Sequence, residues 1–347
     1  MRAYAFCRFV GALCLLLASV WPIPVLPAQA ADTLVRKASA FRTVGRIAFD
    51  LAEGRSTGTG FQVGDCTILT NFHVVFGPWY VTALKPPSSA TAGTYELTGV
   101  TLPDGSHPKT RAVPVIWGDY TGPDRQFRKP QNDWVLLATE ECLGYSYGYL
   151  AVNDPRFDEE INDYAAYSSI GYSSGSQMVD RGCTISTAVG SMPGGVLYHN
   201  CAAMPGDSGA PIIRSDSRRV VAITSGYRAS GKPGCDIRQD GLSKQGNAPC
   251  SNVAVPILHE ISEYISKVDA DAATQQQLLS LGYQAGSFGA FDQPMFTAAI
   301  RQVQSDLGLS VNGQSSCGLA TILKLRGYGA VASQLNKWPQ HSRQELR

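Results

Sequence analysis

The segment Pro205-Gly206-Asp207-Ser208-Gly209 contains the residue types that a nucleophilic serine needs. Glycines on both sides of Ser208 permit a tight turn that exposes the hydroxyl and lets backbone N–H groups converge on one point. The same residue types are also common in ordinary turns between strands. The segment is therefore either a nucleophile loop or only a turn, and other residues must distinguish the two.

A histidine and an aspartate lie upstream at the ends of apolar segments. His73 follows Ile68-Leu69-Thr70-Asn71-Phe72, and Asp133 precedes Trp134-Val135-Leu136-Leu137. Either residue alone is more often structural, but the order His, Asp, Ser is one of the known orders of a catalytic triad. A serine is a poor nucleophile until a base takes its proton, and that base needs a buried acid to fix its tautomer. The pattern therefore indicates a Ser-His-Asp triad.

Three motifs in this order together resemble the trypsin-like serine peptidases of the chymotrypsin fold. They are Thr70-Asn71-Phe72-His73, Asn132-Asp133-Trp134-Val135-Leu136-Leu137 and Gly206-Asp207-Ser208-Gly209-Ala210-Pro211. Gly58-Thr59-Gly60-Phe61 with Cys66, and Cys201 before the serine, are more similar to the bacterial branch that includes the glutamyl endopeptidases. The resemblance covers residues 44–268. It implies an all-β fold, a double six-stranded β-barrel with the active site between the barrels and a C-terminal helix.

The resemblance also implies a role for each residue of the motifs. Ser208 would be the nucleophile, His73 the general base and then acid, and Asp133 the orienting acid. The backbone N–H groups of Gly206 and Ser208 would form the oxyanion hole. We therefore expect a serine endopeptidase that hydrolyses polypeptides through an acyl-enzyme and needs neither a metal nor a cofactor.

Other assignments compete with this one. Asp119 and Asp124 are alternative acids, but neither precedes an apolar strand. An inactive protease-like scaffold that binds cell wall or protein is the alternative function, and the intact triad argues against it. A cell-wall hydrolase would need paired carboxylates or a zinc site, and the sequence shows neither pattern.

The resemblance implies a specificity pocket whose residues differ from those of well-known members. The pocket residues are Ala202, Ile223, Thr224, Ser225 and Gly226. An acid at the position of Ala202 would select Arg or Lys, and glutamyl endopeptidases have a histidine at the position of Ile223. His199 is close in sequence and is equally well explained as a polar strand residue. We expect a preference for an uncharged side chain before the scissile bond.

Asp207 has a known role in the family, where it pairs with an α-amino group freed by removal of a propeptide. The short segment 31–43 contains basic residues, so cleavage before Thr43 or Val44 is one interpretation. The other is an unprocessed N-terminal strand, with Asp207 held by side chains or backbone.

The elements that must position these motifs are short strands. From Val44 to about Ser225, segments rich in β-branched and aromatic residues alternate with Gly, Pro, Asp and Asn, which is typical of a barrel or sandwich. Apolar residues then follow helical spacing over Ile257–Val268, and a polar junction is expected at Asp269–Thr274.

The C-terminal part is expected to form three helices, over Gln275–Leu281, Met295–Leu307 and Leu319–Leu325. The segments Leu279–Tyr283, Gly286–Gly289, Phe296–Gln304 and Leu307–Gly313 resemble the three-helix peptidoglycan-binding-like domain, which would span residues 274–325. Their apolar residues are mostly core, so they indicate the fold better than they indicate a ligand. Peptidoglycan is the partner that the resemblance suggests, and residues 326–347 form a polar tail.

The N-terminal residues have the pattern of a secretory signal. Arg2 and Arg8 precede the apolar run Phe9–Trp21, and Ala28-Gln29-Ala30 resembles a cleavage site, which predicts a signal peptide over residues 1–30. The run is shorter than the ~20 residues that cross a bilayer. We expect a secreted or periplasmic protein with no membrane segment after cleavage.

Composition agrees with a turn-rich, secreted β protein. Of 347 residues, only 16% are charged and 35 are glycine, against about 25% charged in an average domain. The net charge is +1 and becomes −1 without Arg2 and Arg8. This balance argues against nucleic acid or an anionic membrane as the main partner.

Cysteines give a further expectation for an oxidising compartment. After the leader they are Cys66, Cys142, Cys183, Cys201, Cys235, Cys250 and Cys317. Three bridges and one odd thiol is the simplest arrangement, although sequence does not fix connectivity. Adjacent pairing gives Cys183–Cys201 and Cys235–Cys250, which leaves Cys66–Cys142 and an odd Cys317.

Overall fold

A computed structural model describes the chain from residue 40 to residue 324 with internal gaps. The described residues are 40–51, 54–77, 92–118, 130–156, 158, 160–162, 164–173, 175–186, 195–229, 250–316, 319–320 and 322–324. They form two compact units, one ending at Asp269 and the other beginning at Ala270. The predicted signal peptide, the polar tail, Asp119, Asp124, Cys235 and Cys317 lie outside the described residues.

The first sheet of the strand-rich unit closes into a six-stranded antiparallel barrel. Its strands are β1 (Val44–Leu51), β2 (Gly54–Gln62), β3 (Thr67–Thr70), β4 (Gly93–Glu96), β5 (Lys109–Trp117) and β6 (Val135–Thr139). Their order is β1-β2-β3-β6-β5-β4, and β1 also pairs with β4, which closes the barrel. The interior is filled by apolar side chains such as Ile47, Phe49, Ile68 and Leu137.

The second sheet has seven strands. They are β7 (Tyr167–Ser173), β8 (Ser176–Cys183), β9 (Ile185–Ser186), β10 (Leu197–His199), β11 (Pro211–Arg214), β12 (Val220–Ala229) and β13 (Cys250–Pro256). The order is β8-β7-β11-β12-β13-β10-β9. Only Thr184 separates the two edge strands β8 and β9 along the chain, so the sheet curls back on itself into a half-barrel.

The predicted fold class is confirmed. The structure is mostly sheet, with a closed barrel, a second curled sheet and a C-terminal helical part. It differs in one respect from the expected pair of six-stranded barrels, because the second sheet has seven strands among the described residues. Two predicted disulfides, Cys66–Cys142 and Cys183–Cys201, are present.

Two short 3₁₀ helices lie at Ala40–Arg42 and Pro130–Asn132, and four α-helices can be delimited in the described residues. They are α1 (Phe72–Phe76), α2 (Gly144–Tyr147), α3 (His259–Ser280) and α4 (Pro294–Asp306). Residues 319–320 and 322–324 are also helical. None of the helices described here has both the length and the apolar character that crossing a membrane requires.

The predicted junction at Asp269–Thr274 coincides with the boundary between the two compact units, but the chain continues through it in α3 without a break. Both aspartates of this stretch are hydrogen-bonded, and the Asp271 carboxylate accepts from the Ser315 hydroxyl. The Asp269 carboxylate accepts bonds from the Cys66 N–H at 2.7 Å and from the Thr67 hydroxyl at 3.0 Å. Buried polar groups need such partners, so a polar stretch inside a helix can mark an anchor point.

The helical unit has its own apolar core. Phe296, Ala299, Ile300 and Val303 of α4 are buried on one face, as their spacing predicts. The buried Gln304 side chain accepts bonds from the N–H groups of Asn312 and Gly313, which fixes the turn after α4.

Candidate active site

His73 and Asp133 are brought together by two paired strands. Asp133 immediately precedes the Trp134 that leads into β6, and His73 lies in α1, directly after β3. Because Thr70 of β3 pairs with Val135 of β6, the ends of these strands lie side by side. His73 Nδ1 is 2.8 Å from Asp133 Oδ2, and the His73 main-chain N–H donates to Oδ1 at 3.0 Å.

The environment of this pair favours a basic imidazole. The Asp133 side chain is only 1% exposed, whereas that of His73 is 21% exposed. Burial by itself disfavours the imidazolium, but the negative charge of Asp133 and the hydrogen bond to it outweigh burial and raise the pKa of His73 above 6.5. Since Asp133 engages Nδ1, the neutral ring carries its proton there and leaves Nε2 as an acceptor.

Ser225 is a third partner of the buried carboxylate. Its hydroxyl donates to Asp133 Oδ2 at 2.5 Å. The register between β12 and β13 shifts between Thr224 and Gly226, so Ser225 is the extra residue of a β-bulge. Bulges re-aim a side chain, and this one coincides with the contact to Asp133. Ser225 was predicted as a pocket residue, and its bond to Asp133 was missed.

The Ser208 turn is held between the barrel and the second sheet. The Ser208 carbonyl accepts from the Thr59 N–H at 2.8 Å, and Gly209 N–H donates to the Thr224 carbonyl at 2.8 Å. A Cβ placed on Gly58 would lie 2.8 Å from the Val74 side chain and 2.9 Å from the Ser208 carbonyl. Val74 follows His73, so the Ser208 turn and α1 pack around the same glycine.

The turn presents two unpaired donors. Neither the Gly206 nor the Ser208 N–H donates a hydrogen bond to any described residue. Gly206 has φ +105°, and its carbonyl accepts a bond from the Thr59 hydroxyl at 2.9 Å. These two N–H groups are the predicted oxyanion-hole donors, and such free backbone donors are what that role requires.

Thr59 and Asn71 are positioning residues that sequence reasoning did not single out. The Thr59 hydroxyl also accepts a bond from the Tyr172 N–H at 2.9 Å, and Asn71 Nδ2 donates to the Asp133 carbonyl at 2.7 Å. Their positions in the sequence could have pointed to them, because Thr59 stands between two glycines and Asn71 lies two residues before His73.

Asp207 is buried beside β7. Its Oδ2 accepts from the Met204 N–H at 2.8 Å, whereas Oδ1 has no partner among the described residues. Burial raises the pKa of this carboxyl, and the Met204 bond opposes the shift. Val44 lies within β1, where its carbonyl accepts from the Tyr172 hydroxyl. In this structure, Asp207 is thus held by backbone.

The predicted pocket residues lie on two neighbouring segments. The Ala202 N–H donates to Asp180 Oδ2 at 2.6 Å, and Ile223 is fully buried in β12. Thr224 follows Ile223 and therefore faces the other side of the sheet. A Cβ added to Gly226 would meet nothing within 4 Å. Within the described ranges, no cluster of His, Cys, Asp or Glu could hold a metal ion.

Comparison with protein families gives one match. Residues 58–223 match a family model described as a trypsin-like peptidase domain. The matched part of the chain contains His73, Asp133 and Ser208. A comparison with curated proteins finds no match.

Solved structures similar to the chain include proteases. A serine endoprotease from Yersinia pestis is 15% identical with a TM-score of 0.42, and the match covers 69% of this chain and 66% of that one. A Glu endopeptidase structure is 16% identical over 67% of this chain and 92% of that one, with a TM-score of 0.43. Protease Anisep from Arthrobacter nicotinovorans is 16% identical over 66% of this chain and 96% of that one, with a TM-score of 0.44. The chain thus spans slightly less than two thirds of the Yersinia protein.

The close approach at Gly209 yields a test of how rigidly the turn is held. Gly209 has φ +90°, and an added Cβ would lie 1.9 Å from the Thr59 carbonyl. We expect Gly209→Ala to lower the free energy of unfolding by at least about 3 kcal/mol, because backbone strain and a clash add. Gly175 has φ +83° and open space around it, so Gly175→Ala should cost only about 1–2 kcal/mol. Equal losses in urea unfolding would contradict this account.

Proposed function

We propose that the protein is a serine endopeptidase that cleaves polypeptides through an acyl-enzyme intermediate. The observation that carries the proposal is the buried Asp133 carboxylate, which binds both the His73 ring at 2.8 Å and the His73 main-chain N–H at 3.0 Å. A carboxylate in this arrangement fixes the tautomer of a base and stabilises its charged form. The match of residues 58–223 to the trypsin-like peptidase domain supports the same chemistry.

Each proposed step uses a group already described. His73 Nε2 takes the proton of the Ser208 hydroxyl while Oγ bonds to the substrate carbonyl carbon. The same proton then passes to the leaving amine as the C–N bond breaks, which leaves an ester on Ser208. A water molecule attacks this ester with His73 again as the base, and the acid product and free Ser208 are released.

The oxyanion of each tetrahedral intermediate would lie against the Gly206 and Ser208 N–H groups. Both groups are unpaired among the described residues, so they are available to a substrate oxygen. Removing one donor of this kind from a hydrolase typically costs about 10²–10³-fold in rate. Catalysis is assigned to these groups without a metal or a cofactor.

The substrate backbone would lie along the free side of β12. β11 pairs with β12 only as far as Ile223. From Ser225 onward, the side of β12 opposite β13 pairs with no strand that the structure describes. An extended peptide can add to such an edge through main-chain hydrogen bonds, and this edge begins directly beside the Ser208 turn.

The proposed location is outside the cytoplasm, in the secreted or periplasmic space. Support comes from the leader pattern over residues 1–30 and from the two disulfides, since disulfides persist in oxidising compartments. We keep the relation to the bacterial glutamyl-endopeptidase branch as part of the proposal, on the motifs around Gly58 and Cys201.

A tether to the cell wall is proposed from the C-terminal sequence pattern. We expect full-length Ser208→Ala protein to sediment with purified sacculi, and the same variant ending at Asp269 to remain in solution. Equal partition of both forms would contradict wall binding by the C-terminal unit. Circular dichroism of the shortened variant would establish that it is folded.

Covalent labelling tests the triad itself. A fluorophosphonate should label wild-type protein at Ser208, whereas Ser208→Ala should take up no label. His73→Ala should slow labelling by about 10²–10⁴-fold, because proton transfer to a positioned base contributes that much. His107 binds the Val100 carbonyl through its ring, and His107→Ala provides the matched control with an unchanged rate. Labelling that does not depend on His73 would contradict the proposed mechanism.

A further inference from the structure

The core face of the second sheet contains polar side chains with unmet hydrogen bonds. His199 and Asn252 are fully buried, and Thr224 is 2% exposed. Both ring nitrogens of His199, Oδ1 of Asn252 and Oγ1 of Thr224 have no hydrogen-bond partner among the described residues. An orphaned polar atom in a protein interior costs about 1–3 kcal/mol, so three neighbouring residues of this kind need an explanation.

Strand register places the three residues on one face. His199 of β10 is directly opposite Asn252 of β13, and Thr224 of β12 is opposite Ala254. Directly opposed residues of antiparallel strands share a face, as do residues two apart on one strand. Asn252 is therefore the direct neighbour of His199 and the diagonal neighbour of Thr224, and diagonal pairs are about 7–8 Å apart. We call His199, Asn252 and Thr224 the polar row.

The polar row adjoins both segments that form the proposed specificity pocket. Asn252 Nδ2 donates to the Cys201 carbonyl at 2.5 Å, and Cys201 precedes Ala202. Thr224 precedes Ser225, and its carbonyl accepts from the Gly209 N–H at 2.8 Å. The row is thus hydrogen-bonded to the segment that leads into Ala202 on one side and is directly followed by the proposed substrate-pairing edge on the other.

The polar row is uncharged and offers both donors and acceptors. Burial lowers the pKa of His199 to about 3, and the Val253 backbone, which approaches the ring, opposes this shift. A neutral imidazole has one N–H donor and one acceptor nitrogen. Asn252 Oδ1 is an acceptor, since the Nδ2 group already donates to the Cys201 carbonyl. The Thr224 hydroxyl can either donate or accept a hydrogen bond.

We infer that the polar row recognises a primary carboxamide, the side chain of glutamine or asparagine, in the residue before the scissile bond. This inference rests on the proposed peptidase function and assigns its substrate class. A carboxamide has a carbonyl oxygen for the His199 and Thr224 donors and an NH₂ group for Asn252 Oδ1. Binding would therefore satisfy atoms that the free protein leaves without partners.

Charged side chains fit the polar row less well. A carboxylate would meet the Asn252 acceptor with no cation in the row, and an ammonium or guanidinium would be desolvated without a carboxylate in the row. Asp180, the carboxylate that contacts this wall, is committed to the Ala202 N–H at 2.6 Å. An apolar side chain would leave the orphaned atoms unpaired, and sites built to hydrogen-bond a substrate reject analogues that lack the polar group.

The test compares peptides that differ only before the scissile bond. With Gln, Met, Glu and Lys at that position, wild-type protein should show a kcat/KM for Gln at least about 10-fold above each of the others. Thr224→Val keeps the side-chain shape and removes one orphaned hydroxyl, and it should reduce the Gln-to-Met ratio at least about threefold. His199→Leu should reduce the ratio further.

A matched control comes from the helical unit. Thr274 is fully buried and its hydroxyl also has no partner among the described residues, so Thr274→Val should leave the Gln-to-Met ratio unchanged. If His199→Leu does not fold, the Gln-to-Met ratio of Thr224→Val alone tests the inference.

Two sets of outcomes separate this inference from the proposed function. Fluorophosphonate labelling with a Gln-to-Met ratio near one, with preferred cleavage after Glu or Lys, or with an unchanged ratio in Thr224→Val, would overturn the inference alone. Absence of any labelling in wild-type protein would overturn the proposed function and the inference together.

Discussion

A buried negative charge on Asp133 is the constraint on which the rest of the site depends. An ionised carboxylate that is 1% exposed is costly unless it is hydrogen-bonded and paired. Here the His73 ring, the His73 main chain and the Ser225 hydroxyl all direct donors at it. The orientation of the imidazole is therefore restricted, because rotating the ring would remove a hydrogen bond to the buried Asp133 carboxylate.

The same set of bonds joins separate parts of the fold. His73 and Asp133 come from the ends of the paired strands β3 and β6, whereas Ser225 comes from a bulge in β12 of the second sheet. Ser208 is attached to both sides through Thr59 in the barrel and through the Gly209–Thr224 bond. Small displacements between barrel and second sheet would thus move His73, Asp133 and the Ser208 turn together.

The sequence allows the fold class and the motif residues to be predicted, because strand ends and glycine turns leave local patterns. It predicts His73 and Asp133 as partners from their places beside β3 and β6, and two disulfides from adjacent pairing. The bond from Ser225 to Asp133 depends on a bulge, and the polar row depends on the register of three strands. Both are long-range pairings with no local signature. The polar stretch at Asp269 lies at the boundary between the two units as predicted, but the continuous helix there was missed, since a buried polar contact and a linker look alike in sequence.

The most direct measurement is the titration of the His73 ring by ¹⁵N nuclear magnetic resonance, with His73→Gln used to assign the signal. We expect a pKa above the ordinary 6.5, with the neutral ring protonated at Nδ1, and a fall in that pKa when Asp133 is replaced by Asn. A His73 ring that titrates at or below 6.5 in wild-type protein, or whose neutral form carries its proton on Nε2, would contradict the central role of Asp133.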